Sequence, residues 1–138
     1  MNADHGQARA FESVSTWRAE APSTATAVRQ HLVDEIAAAI STLSPERIRV
    51  CIDGLTGAGK TAFSHELAAA LRSAGRTTAR ASRDDFKHPW RHAYENGYDR
   101  LSGSGYHANA YDHDTARDLL LEPAGPDGSG RVALCGHD

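Results

Sequence analysis

Apolar residues recur at helical spacing in two stretches of the chain. In the first, the apolar positions are spaced mostly three or four residues apart: Val28, Leu32, Val33, Ile36, Ala37, Ile40 and Leu43. The polar residues between them are Arg29, Gln30, Asp34 and Glu35. This pattern predicts an amphipathic helix that starts after Ser23, an available N-cap, and ends at the Ser-Pro pair 44–45. The second stretch, "KTAFSHELAAALRSAG", predicts a helix that begins at Gly59 and ends near Gly75.

Shorter runs around these helices are typical of β-strands. "RIRVCID" (47–53), "RTTARAS" (76–82) and the start of "RVALC" (131–135) are predicted strands. "DHDTARDLLLEP" predicts a third helix with Asp112 or Asp114 near its start and Pro123 at its end. The polar stretch 84–111, between the predicted strand 76–82 and this helix, is predicted to be a loop. Strands that alternate with helices predict an α/β fold with a parallel sheet.

Composition narrows the class of protein. The 138 residues are enough for one domain, which we expect at 23–138 after a weakly ordered arm at 1–22. A formal net charge of -3 and a pI near 6.2 do not favour nucleic acid as a partner. The longest apolar run, "IAAAI", is too short to span a membrane, and the N-terminus lacks a signal sequence. The two cysteines are expected to be buried free thiols, which fits the reducing environment of the cytoplasm. The sequence leaves open whether the protein forms a homo-oligomer.

The stretch "GLTGAGKT" (54–61) satisfies the pattern G-x-x-x-x-G-K-[ST] between a predicted strand and a predicted helix. Its glycines allow the backbone to wrap a phosphate, so that amides near Gly57, Ala58 and Gly59 point at the oxygens. Lys60, one of two lysines in a chain with thirteen arginines, supplies a compact ammonium for the β- and γ-phosphates. The Thr61 hydroxyl is a ligand for Mg²⁺. The loop therefore predicts an ATP-binding site that starts at Gly54.

Two aspartates follow the predicted strand 76–82. Asp84 and Asp85 stand in "SRDDFKHPW" (82–90), where a carboxylate can position Mg²⁺ or accept the proton of a hydroxyl substrate. The alternative is that these residues only cap a turn before Pro89.

The segment 49–90 resembles the uridine kinase-like branch of P-loop small-molecule kinases, relatives of uridine kinase and phosphoribulokinase. The resemblance rests on the glycine loop and the D-x-F element "DDF" (84–86), and it continues through "GY" (105–106) and "YD" (111–112) to cover about residues 28–135. It implies a P-loop NTPase-type parallel sheet flanked by helices. The implied activity is ATP- and Mg²⁺-dependent transfer of the γ-phosphate to a hydroxyl of a small molecule, nucleoside or sugar-like.

The resemblance also implies roles for individual residues. Asp84 is the candidate base and a metal ligand beside Thr61, and Asp85 is the fallback. Asp112 is expected to contact sugar hydroxyls, although a role as a helix cap is an equal alternative. Tyr106 and Arg91 match positions on the acceptor side, whereas Lys87 is given no role.

The chain also departs from these relatives. They continue beyond the position of Asp138 with further strands, an acidic strand end and an arginine-bearing lid, so the chain is expected to be truncated at its C-terminus. The alternative function is therefore a truncated, catalytically inactive ATP-binding fragment. A regulatory GTPase is less favoured because no N-K-x-D element occurs, and the scattered histidines do not predict a transition-metal site.

Overall fold

The computed structural model describes residues 10–12, 26–44 and 46–133. These residues divide into two compact units. The first holds strand β1 (Ala10–Glu12), helices α1 (Ala27–Leu43) and α2 (Lys60–Ser73), and strand β2 (Thr78–Arg80). The second holds residues 47–49 and everything described from residue 81 onwards. Its elements are a 3₁₀ helix (Arg83–Phe86), α3 (Trp90–Asn96), α4 (Gly103–Asn109), α5 (His113–Ala116) and a π-helical turn (Arg117–Leu121).

Helix α1 is confirmed, but its buried face differs from the predicted stripe. The side chain of Thr26, not a serine, caps its first turn by accepting the amide of Arg29. The buried positions are Val33, Ala37 and Ile40, while Val28 is 80% exposed. The core of the first unit therefore forms where this narrower face packs against α2.

Helix α2 is confirmed at both ends. Leu67, Ala68 and Leu71 form its buried face. Gly75 adopts a left-handed conformation just beyond it, where its amide donates to the carbonyl of Arg72 and the next amide donates to Leu71. These two bonds form the Schellman motif that the glycine predicted.

The predicted P-loop NTPase-type parallel sheet flanked by helices is wrong. The described residues are mostly helical. They hold one short parallel ladder, in which β2 pairs with β1 rather than with residues 47–53. Residues 46–54 form no strand, because no described segment pairs with their backbone; Val50 is 45% exposed and Cys51, expected to be buried, is also exposed.

Side chains hold part of this strandless segment in place. Arg47 Nη1 donates to the carbonyls of Pro123, Gly125 and Gly128, and Arg49 Nη1 donates to Leu121. All of these residues belong to the second unit. The segment is therefore anchored through guanidinium groups instead of a backbone ladder.

The predicted loop 84–111 and the predicted strand at 131–135 are also wrong within the described residues, and most of the predicted arm 1–22 lies outside them. The stretch 84–111, predicted to be a loop, contains α3 and α4, and residues 131–133 are not a strand. Within the predicted arm 1–22, residues 10–12 are β1, and its other residues, including Trp17, lie outside the described part of the chain, as do Ser23 and Cys135.

Candidate functional site

The glycine loop has the backbone that its sequence requires. Gly57 and Gly59 have φ angles of 77° and 81°, which favour glycine, and Gly54 has a φ of 152°. A Cβ atom built on Gly57 or Gly59 would meet nothing within 4 Å. These glycines are therefore required for the path of the chain, while the space beside them stays open for a ligand.

Lys60 is the first residue of α2, and its side chain folds back over the loop. Its Nζ donates to the carbonyls of Gly54 at 2.7 Å and Leu55 at 2.8 Å. The N-cap residue Gly59 has no side chain, so no described side chain caps this end of α2. The helix therefore presents its first amides and the positive end of its dipole beside an ammonium group, an arrangement suited to phosphate.

In the second unit, the two adjacent aspartates have different surroundings. Asp85 is 6% exposed, and its Oδ2 accepts the amide of Ser82 while the Ser82 side chain caps the same 3₁₀ helix. This is a capping box, and it uses the Asp85 carboxylate for structure. Asp84 is exposed, which leaves its carboxylate accessible to a substrate.

A short antiparallel contact brings the segment that carries Asp84 beside Tyr111. Lys87 and Tyr111 form an isolated bridge, and the amide of Asp112 donates to the carbonyl of Phe86 at 2.9 Å. Phe86 itself is fully buried and anchors this contact. Burial raises the pKa of Tyr111, and the hydrogen bond to Tyr106 and the Asp84 carboxylate add to this rise.

Tyr106 and Tyr111 form a hydrogen-bonded pair. Their hydroxyl oxygens lie 3.4 Å apart and their rings meet edge to face. The guanidinium of Arg83 covers the face of the Tyr111 ring at 4.1 Å, a cation–π contact. The structure therefore brings Asp84 and Tyr106 of the predicted site together around Tyr111.

Asp112 serves as a helix cap. Its carboxylate accepts the amide of Thr115 at 2.9 Å and the Thr115 hydroxyl at 2.7 Å, at the start of α5. Of the two alternatives raised by the sequence, the capping role is confirmed. The contact with sugar hydroxyls remains a prediction.

Replacing Asp112 should separate these two roles. Asp112→Ala is expected to lower the free energy of unfolding by about 1 kcal/mol, since it removes the cap, whereas Asp112→Asn retains a good capping oxygen and costs only a fraction of that. Urea denaturation of both variants measures the difference. An equal loss of stability in the alanine and asparagine variants would contradict the capping role.

Arg91 lies on exposed helix α3 and lines a shallow depression of about 440 Å³ together with His88, Pro89, His92 and Glu95. Beneath the start of this helix, Arg100 is buried, with 3% exposure. It donates to the carbonyls of His88 and Pro89 and stacks on Trp90 at 4.2 Å. Arg100 therefore fixes the N-terminal end of α3, and sequence reasoning did not single it out.

The predicted site residues are divided between the units. The first unit holds the glycine loop with Lys60 and Thr61, and the second holds Asp84, Arg91, Tyr106 and Asp112. Sequence reasoning missed two residues that contact the tyrosine rings: Lys87, to which it gave no role, and Arg83. Their contacts with the tyrosines depend on pairing between distant parts of the chain, so no local sequence signal indicates them.

Within the described ranges, no group of three or more His, Cys, Asp or Glu side chains is placed to hold a metal ion. The same ranges contain no helix with the length and apolar character needed to cross a membrane. Comparisons of the chain with family models, curated proteins and solved structures find no match.

Proposed function

We propose that the protein is an ATP-dependent phosphotransferase that transfers the γ-phosphate to a hydroxyl of a small molecule, nucleoside or sugar-like. The resemblance of the sequence to uridine kinase-like enzymes supports this assignment, and the cytoplasm, with its ATP and Mg²⁺, is the compartment that fits it.

The observation that carries the proposal is the conformation of residues 54–61. Left-handed glycines, an uncapped helix start and the Lys60 ammonium all occur within one short loop. Each of these features favours the binding of a phosphate group, and their combination favours a polyphosphate such as that of ATP. Nucleotide binding would transfer Lys60 from the loop carbonyls to phosphate oxygens.

The acceptor side is supported by the contrast between the two aspartates. Asp84 is exposed and Asp85 is buried in a capping box, so Asp84 is the carboxylate that can reach the proton of an acceptor hydroxyl. No covalent intermediate with the protein is required, because positioning and charge stabilisation can support phosphoryl transfer.

Thr61, the residue after Lys60 at the start of α2, would offer its hydroxyl oxygen to Mg²⁺, since the hard ion prefers oxygen ligands. When bound, the ion supplies positive charge that neutralises the phosphate oxygens. The residues of the chain that act beside it are Lys60, which holds the phosphates, and the loop amides, which orient them.

The decisive measurement is the melting temperature with and without Mg²⁺-ATP. The parent protein is expected to melt several degrees higher when ATP is present at about 100 times its dissociation constant, a stabilisation of about 2.7 kcal/mol. Lys60→Ala should lose most of this response. Lys60→Arg should lose it as well, because a planar guanidinium does not replace a compact ammonium in a narrow loop.

Arg131→Ala is the matched control, since it removes an exposed cation that the proposal does not use. It should respond to Mg²⁺-ATP like the parent. Equal responses in the parent and Lys60→Ala would overturn the proposal. A response in the parent without transfer to any hydroxyl acceptor would favour the alternative of a nucleotide-binding protein without catalysis.

A further inference from the structure

The second unit buries a cation whose hydrogen-bond donors are only partly satisfied. Arg100 is 3% exposed, and its Nη1 donates to the carbonyls of His88 at 2.9 Å and Pro89 at 3.2 Å. Its Nε and Nη2 are also buried, but they have no acceptor within the described part of the chain. Because a buried donor without an acceptor is costly, its presence in a folded protein needs an explanation.

The two nitrogens without acceptors form one edge of the guanidinium group. In an arginine side chain, the N–H of Nε and one N–H of Nη2 point in the same direction, and this edge matches two oxygens of a carboxylate or phosphate. Nη1, which donates to the backbone carbonyls, does not belong to this edge. The part of Arg100 suited to a bidentate contact with an anion is therefore the part left without a partner.

The aromatic rings beside Arg100 do not replace the missing acceptors. Its Cζ lies over the Trp90 ring at 4.2 Å and over the Tyr106 ring at 5.8 Å. A ring attracts the cation through its π electrons, but it offers no pair of oxygen atoms to the guanidinium edge. The rings therefore account for the burial of the charge and leave the two donors unexplained.

The positive charges around the tyrosine pair also lack acidic partners. Arg83, Lys87 and Arg100 lie 4.1, 5.5 and 5.8 Å from the centroid of a ring of this pair. None of the three forms an ion pair with a carboxylate among the described residues. The exposed Asp84 of the same segment balances only one of these charges, so this part of the second unit favours an anion.

We propose that the Nε–Nη2 edge of Arg100 binds a carboxylate or phosphate group of the acceptor substrate, so that the acceptor is an anionic, sugar-like molecule. The inference deepens the proposed function and rests on it for the role of the bound molecule as an acceptor. Trp90, which covers the guanidinium, is itself 44% exposed. Rotation of its side chain towards solvent uncovers the two donors.

Calorimetric titration with three ribose compounds tests the site without ATP. Ribose is neutral, ribonate carries a carboxylate and ribose 5-phosphate carries a phosphate, so the comparison isolates the anionic group and shows which one the site prefers. At equal ionic strength, at least one of the two anions should bind tenfold or more tightly than ribose.

Arg100→Lys keeps the charge but removes the paired donors. It should weaken binding of the preferred anion roughly 10- to 100-fold, the usual effect of losing a hydrogen bond to a charged group. Arg131→Ala is the matched control, since it removes an exposed cation of the same unit, and it should bind the anion like the parent.

Trp90→Ala keeps the inference testable if Arg100→Lys does not fold. This truncation removes the ring over the guanidinium, so the anion should bind more tightly, whereas a purely structural Arg100 would leave anion binding unchanged. The chain has two tryptophans, so in a Trp17→Phe background the fluorescence comes from Trp90 alone. Addition of the anion should change this fluorescence, and ribose should not.

The outcomes separate the two proposals. Equal affinities for ribose and both anions would overturn the anion site, even if the protein phosphorylates a neutral acceptor. Anion binding that Arg100→Lys and Trp90→Ala both leave unchanged would overturn it as well. If anion binding depends on Arg100 but no hydroxyl compound is phosphorylated with Mg²⁺-ATP, the proposed function fails, and the acceptor role of the anion fails with it while the anion site stands.

Discussion

Asp84→Asn is expected to slow phosphoryl transfer by a factor of about 10²–10⁴, the usual contribution of a general base. Asparagine has nearly the same size as aspartate but cannot accept the proton of the acceptor hydroxyl. Because Asp84 is exposed, the substitution should leave the fold intact. Release of ADP at saturating ATP, measured over a panel of nucleosides and sugars, gives the rate.

Asp85→Asn is the matched comparison for this prediction. The buried Asp85 carboxylate accepts the amide of Ser82, so its replacement should cost stability of the order of 1 kcal/mol and leave most of the transfer rate. The assignment of the base would be reversed if Asp85→Asn abolished transfer and Asp84→Asn retained it. Melting with Mg²⁺-ATP checks that both variants still bind nucleotide.

Phe86→Ala is expected to lower the free energy of unfolding by about 3–5 kcal/mol, which is the usual cost of removing a buried phenylalanine ring. Phe86 is fully buried, and its carbonyl accepts the amide of Asp112 in the contact that carries Lys87. The cavity left by the ring would lie directly beneath this contact. Urea denaturation measures the loss.

Leu101→Ala provides the control for the Phe86 prediction, since Leu101 is 94% exposed and its truncation should change stability by less than about 0.5 kcal/mol. Phe86→Leu, which retains most of the apolar volume, should fall between the two. Similar losses for Phe86→Ala and Leu101→Ala would show that Phe86 does not support the second unit.

The helices of the first unit were predictable because their signals are local. The apolar spacing of α1 and the glycine after α2 act within a few residues, so they do not depend on how distant parts of the chain fold. The choice of buried face was not predictable in the same way. Whether Val28 or Val33 is buried depends on where α2 lies against α1, which periodicity alone does not determine.

The strand predicted at 47–53 does not form, for a related reason. A β-branched run shows only that a segment can pair; a strand also needs a neighbour whose backbone meets it. In contrast, α3 and α4 were missed although their ends carried readable signals: Gly97 adopts a left-handed C-cap and Ser102 caps the following helix. The glycines and aromatics of this stretch favoured a loop instead.

The candidate site shows the same division between local and distant information. The Ser82-x-x-Asp85 spacing is itself a sign of a capping box, so the different surroundings of Asp84 and Asp85 could have been predicted. The position of Lys87 between Tyr106 and Tyr111 could not, because it follows from an antiparallel contact between segments more than twenty residues apart.

The side-chain anchoring of residues 47–49 has a consequence for motion. Amides in a ladder exchange with solvent only when several bonds open together, whereas a segment held by two arginine side chains can open locally at small cost. Residues 50–53, all exposed except the half-buried Ile52, continue directly into Gly54. The chain entering the glycine loop can therefore change its backbone angles while α2 stays folded.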